Sequence, residues 1–194
     1  MVISSLTRSR RQRGLSLIEV LVTLVIVAFG LLGLVGLQAR LQVSEMEAYQ
    51  RSQALLLLND MANRIATNRN NAVNYVTTAA APLGAGVCPT TTANVVQTDQ
   101  KEWCNAIKGA SETTNLGTVK VGAMIGGLGC VEAVGVAPNV NYLVTVAWQG
   151  LTPLSAPPVG VACGANSYNA ASGSCVLDRC RRVVTTLVRI GNLL

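Results

Sequence analysis

The feature that most constrains this chain is the run Val20 to Leu37, eighteen residues in which Thr23 is the one conventional polar side chain. Apolar side chains do not remove the backbone's need for hydrogen bonds, and in lipid only a helix satisfies every N–H and C=O within one segment. Eighteen such residues are enough to span a bilayer as a helix. Arg8, Arg10, Arg11 and Arg13 precede the run, and no acid precedes Glu19. A cluster of arginines holds its end of a span in the cytoplasm, so everything after Gln38 is expected on the far side. A secretory signal peptide would carry a small-residue cleavage site after the run, but Gln38-Ala39-Arg40-Leu41 has no Ala-x-Ala arrangement. Removal there is not expected.

The junction that calls for explanation lies before the run, in Arg13-Gly14-Leu15-Ser16-Leu17-Ile18-Glu19. A carboxylate at a bilayer centre costs about 2.5 to 3.5 kcal/mol on insertion scales, and intramembrane charges tend to be functional. Gly14, Leu15 and Glu19 together resemble the processing signature of the type IV pilin superfamily. The resemblance implies that prepilin peptidase cuts after Gly14 and methylates the new N-terminal amine of Leu15, with Glu19 as the family's assembly glutamate. The family more often has phenylalanine where Leu15 stands. The stretch from Gly14 through Ala39, with Val144-Thr-Val-Ala-Trp-Gln-Gly150 and the arginine-led last strand, is similar to the minor pilins of the PilV, or type IV pilus modification, group. For the fold the resemblance implies an α+β lollipop, a long N-terminal helix packed on an antiparallel sheet.

Past Gln38 the pattern turns amphipathic. Leu41, Ala48, Leu55, Leu58, Ala62 and Ile65 fall on one helical face, while Arg40, Glu45, Glu47, Arg51 and Asp60 take much of the rest. Asn68-Arg69-Asn70-Asn71 supplies a stop, so the spacing predicts one helix over 15–68. At about 1.5 Å per residue that is a rod of roughly 80 Å, too long for a small core to cover. Leu55-Leu56-Leu57-Leu58 reads as a buried stripe against a sheet. Gly30, Gly33 and Gly36 lie near one face, where they allow close helix approach or loosen the helix. Major pilins similar to this chain often have a proline in this region.

From 72 to about 117 no period persists, and a long loop is expected with a short helix around 102–108. Strand candidates are 118–125, 130–136, 141–149 and 182–190, making a sheet of about four antiparallel strands. The clearest is 141–149, with Tyr142, Val144, Val146 and Trp148 on one face. Residues 150–175, with Pro153, Pro157 and Pro158, read as a surface loop. The chain thus divides into a leader over 1–14, a membrane-spanning half-helix over 15–37, an amphipathic half over 38–70 and an extracytoplasmic head over 71–194.

The six cysteines, Cys88, Cys104, Cys130, Cys163, Cys175 and Cys180, all follow the span, and an even number in an oxidising compartment suggests disulfides. Spacing cannot choose among the fifteen pairings that six thiols allow, although one bridge is expected to pin the loop before the last strand. With no Cys-x-x-Cys pair, zinc is the weaker reading, and no metal or cofactor is expected. The absence of histidine excludes Ser-His-Asp and Cys-His catalysis and histidine-ligated zinc. Gly126-Gly127-Leu128-Gly129 lacks the lysine of a phosphate loop and reads as a turn between strands. Outside residues 1–14 the net charge falls from +6 to +2, eleven basic against nine acidic residues, so no direct nucleic-acid contact is expected. Arg179, Arg181 and Arg182 read as a solvated strand entrance or a contact with another pilin.

No catalytic residue emerges. The expectation is a structural subunit, a minor type IV pilin that waits in the bacterial inner membrane with its head in the periplasm and then enters a pilus. The resemblance implies as partners prepilin peptidase, other minor and major pilins, the inner-membrane assembly platform, a tip adhesin and membrane lipid. A pseudopilin of a type II secretion system, or a stably anchored periplasmic binding domain, is the alternative.

Overall fold

The computed structural model describes residues 16–109, 124–137 and 140–191. The chain divides into two compact units, Met1–Val43 and Ser44–Leu194. In the first, every described residue through Val43 is exposed and those from Leu17 onward are helical, the beginning of α1 (Leu17–Thr67). Ser16 carbonyl oxygen accepts the first N–H groups, from Glu19 at 3.0 Å and Val20 at 3.3 Å. Thr23, the polar interruption, turns its hydroxyl back onto Val20 carbonyl oxygen at 2.9 Å, so it leaves no donor facing outward. The helix runs without a break through Gly30, Gly33 and Gly36, and a Cβ at any of the three would meet open space.

In the second unit α1 buries Gln50, Ala54, Leu58, Met61 and Ile65, at spacings of four, four, three and four. That corrects the expected stripe. Leu58 and Ile65 lie on it, but Leu55 is 41% exposed, Leu41 53% exposed and Ala48 exposed. At 3.6 residues per turn, four consecutive leucines sweep the whole circumference. Of Leu55 to Leu58, only Leu58 is buried, while Leu56 stays 64% exposed.

A 3-10 turn follows over Arg69–Tyr75, and then α2 (Val95–Ile107). The helix begins seven residues before the expected 102, because Asn94 caps it: its Oδ1 accepts the N–H of Gln97 at 2.9 Å. Trp103 on α2 is fully buried and donates its indole N–H to Leu57 carbonyl oxygen at 2.9 Å, fixing α2 against α1.

Three described strands make one antiparallel sheet in the order β1 (Leu128–Val134), β2 (Asn141–Gln149), β3 (Arg181–Arg189). β2 matches its expected range, and β1 and β3 lie within two residues of theirs. A fourth strand over 118–125 falls mostly on residues outside the described set, and the described Met124 and Ile125 form a bend. Gly126-Gly127 therefore leads into β1.

Side chains alternate across the sheet. Val131, Val144, Val146, Trp148, Val184 and Val188 share the face that packs with Ala54, Leu58, Met61 and Ile65 of α1. Gly129 lies on this face too, where a Cβ would stand 2.4 Å from the Trp103 ring. On the opposite face Leu128, Cys130 and Ala147 meet Cys163 and Tyr168, so the 150–175 segment, a largely exposed loop as expected, also covers part of this face. Tyr168 donates its hydroxyl to Gly126 carbonyl oxygen at 2.8 Å.

Candidate functional site

Glu19 lies in the first turn of α1, exposed, at the head of a helix whose following side chains are apolar and equally exposed. A carboxylate there lies at the end of the helix dipole that favours negative charge. Around it are Leu17, 84% exposed, Ile18, 69%, and Val20, 43%. An exposed apolar surface of this kind suits contact with lipid or with other helices. The span from Leu17 is long and apolar enough to cross a membrane, and none of its most apolar window is buried. Gly14 and Leu15 lie outside the described residues.

Residues 9–35 match the prokaryotic N-terminal methylation motif. The motif is that of type IV pilin-like signals, and it supports placing the chain among pilin-like proteins. It implies processing by prepilin peptidase and assembly with other pilins, and with the apolar helix it fits a protein anchored by a single membrane span. No curated protein and no solved structure matches the chain.

The six cysteines form three bridges, Cys88–Cys104, Cys130–Cys163 and Cys175–Cys180, with Cα separations of 5.7, 5.9 and 5.1 Å. The first ties the segment before α2 to α2 itself. The second joins β1 to the cover on the sheet's second face, and the third closes a short loop at the entrance to β3. No group of three metal-ligating side chains occurs among the described residues.

Of the arginine cluster, Arg179 is exposed as its sequence suggests, but Arg181 and Arg182 are not a solvated strand entrance. Arg181 is 3% exposed, donates to the carbonyl oxygens of Val161 and Cys163 at 2.7 and 3.0 Å, and pairs with Asp178 at 3.2 Å. Arg182 reaches Glu47 of α1 at 3.2 Å and Thr152 carbonyl oxygen at 2.6 Å. Its guanidinium lies over Gly150, where a Cβ would come within 2.5 Å of it, so glycine leaves the room the arginine needs.

Glu47 also accepts the N–H groups of Leu151 and Thr152 at 3.0 and 3.2 Å. Its partial burial would raise its pKa, but the Arg182 charge and these backbone donors outweigh that and hold the carboxyl below its ordinary value. A second knot joins α1 to α2. Arg64 bonds Asp60, Asp99 and Glu102, and Tyr75 donates its hydroxyl to Asp99. Burial opposes the Arg64 charge, yet the three carboxylates more than offset it and raise its pKa. Burial, and then the bond to Asp99, push the Tyr75 phenol up to about 12. Neither knot is prominent in the sequence, because its members lie 35 and 135 residues apart. The capping pair Asn94-x-x-Gln97 was the available signal for the longer α2.

Proposed function

We propose that this chain is a minor type IV pilin, closest to the PilV group, whose task is to help start pilus assembly or to form part of the tip complex. It is a structural subunit, not an enzyme. Prepilin peptidase removes residues 1–14 after Gly14, and the amine of Leu15 is methylated. The head faces the periplasm until the subunit leaves the inner membrane for the pilus, where it supports adhesion and motility. Its partners are other minor and major pilins, the inner-membrane assembly platform and a tip adhesin.

The observation that carries the proposal is that Glu19 lies within the methylation motif, at the head of the exposed apolar first part of α1. Removing residues 1–14 creates a cationic amine four residues before Glu19. Within a helix bundle the Glu19 carboxylate then meets the amine of a neighbouring subunit, which offsets the cost of burying either charge alone.

A Glu19→Ala variant makes the span more apolar, so membrane insertion and leader removal should continue while entry into pili fails. Membrane level, leader removal and recovery from sheared pili are measured together. Normal values of all three would refute the role given to Glu19. Loss of substrate secretion in place of loss of pili, when the whole chain is deleted, would instead identify a type II secretion pseudopilin.

A further inference from the structure

In a 3-10 helix side chains at i and i+3 stack above one another. Asn68, Asn71 and Asn74 have this spacing in sequence, although the segment kinks at Asn71, whose backbone is non-helical, and Asn94, Gln97 and Gln100 repeat it along the start of α2. The two sets face each other across a cleft of about 490 Å³. Six amides and the side chains of Val95 and Val96 line it, with no charged side chain in the lining.

Internal hydrogen bonds engage five of the six amides, all but Asn74, and use six of their twelve oxygen and nitrogen atoms. Asn68 accepts from Asn71 Nδ2 at 2.8 Å and donates to the Tyr75 hydroxyl at 3.1 Å. Asn94 Oδ1 accepts the Gln97 N–H, and Gln97 Oε1 accepts the Ala93 N–H at 3.0 Å. Gln100 Nε2 donates to Asn74 carbonyl oxygen at 3.3 Å. Among the described residues no protein partner remains for the oxygens of Asn71, Asn74 and Gln100 or for the amide nitrogens of Asn74, Asn94 and Gln97. The cleft therefore presents three acceptors and three donors from opposite walls. Asp99, between Thr98 and Gln100 on α2, is not part of the lining and is bonded to Arg64 and to the Tyr75 hydroxyl.

From this arrangement we infer that the cleft is a binding site for a neutral oligosaccharide. A sugar hydroxyl both donates and accepts, and a pyranose ring carries hydroxyls on opposite edges, matching the mixed donors and acceptors of the two walls. A phosphate-bearing or acidic ligand would find no basic partner. Val95, 63% exposed at the mouth, offers an apolar contact for the C–H face of the ring. The site is independent of the helix assembly proposed above, because it lies wholly within the second unit and uses none of the span.

The test is titration of the full-length, isotope-labelled protein in detergent micelles with maltotriose, cellotriose and triacetylchitotriose, reading the side-chain amide resonances of Asn74, Asn94 and Gln97 by NMR. At least one trisaccharide should shift all three and saturate at a dissociation constant of about 1 mM or tighter. Asn74 has no structural bond through its side chain, so Asn74→Ala should fold normally and weaken that sugar about tenfold by removing two neutral hydrogen bonds. An unchanged affinity in Asn74→Ala overturns the inference. So does a failure of all three sugars to move these resonances, or an equal response to a neutral Ala-Gly hexapeptide.

Discussion

Replacing the bridge Cys130–Cys163 by alanines should destabilise the head more than replacing either of the others. A disulfide acts largely by restricting the unfolded chain, and its effect grows with the loop it closes. The three bridges close separations of 33, 16 and 5 residues. Loop-closure entropy then gives about 3.7 kcal/mol for Cys130–Cys163, about 3.1 for Cys88–Cys104 and about 2.1 for Cys175–Cys180. Packing widens the gap, since Cys130 and Cys163 are both fully buried against Leu128, Ala147 and Tyr168. With an unfolding entropy of about 2.1 cal/mol/K per residue over residues 44–194, the first loss lowers Tm by about 12 °C and the last by about 7 °C. Each double-alanine variant of the full chain is melted in detergent micelles without reductant, following near-ultraviolet circular dichroism of Trp103 and Trp148. If losing Cys175–Cys180 cost as much as losing Cys130–Cys163, the loop-entropy reasoning and the role of the second-face cover would both be wrong.

Glu47→Gln should destabilise the head by about 1 to 2 kcal/mol, because it discharges the carboxylate that pairs with Arg182 and accepts from Leu151 and Thr152. Denaturant titration of the second unit checks the size. Because the folded pKa of Glu47 is depressed, its contribution is complete above the ordinary carboxyl value of 4.5 and disappears as pH falls through the lower folded value. The difference between wild type and Glu47→Gln should therefore be constant at neutral pH and narrow below about pH 4.5; a gap that persisted in acid would refute the ion pair's role. Gly129→Ala should cost about 1 to 3 kcal/mol by overpacking, as its Cβ would press on Trp103. A melt equal to wild type would show that α2 yields without cost.

The strand 141–149 was legible from sequence because a strand's period is short and its buried face is written into it: Tyr142, Val144, Val146 and Trp148 are 7%, 0%, 0% and 3% exposed. The phase of α1 was not legible, since four leucines in a row carry no phase and the buried line begins at Gln50, a polar residue that hydropathy does not favour. Arg181 and Arg182 were misread for a related reason. Their charges suggested solvent, but the carbonyl oxygens and carboxylates that enclose them come from segments distant in sequence. The methylation motif was legible because a charge beside an apolar run stands out without any tertiary information, and Glu19 falls within the matched residues 9–35.

The central claim is that the chain is a processed pilin subunit, and the most direct measurement is the intact mass of the protein recovered from the membrane and from sheared pili. The account predicts a chain that begins at Leu15, carries one methyl group on its amine and has lost six hydrogens to three disulfides. Recovery of functional pili containing the chain from Met1, with residues 1–14 intact and the amine unmethylated, would contradict it.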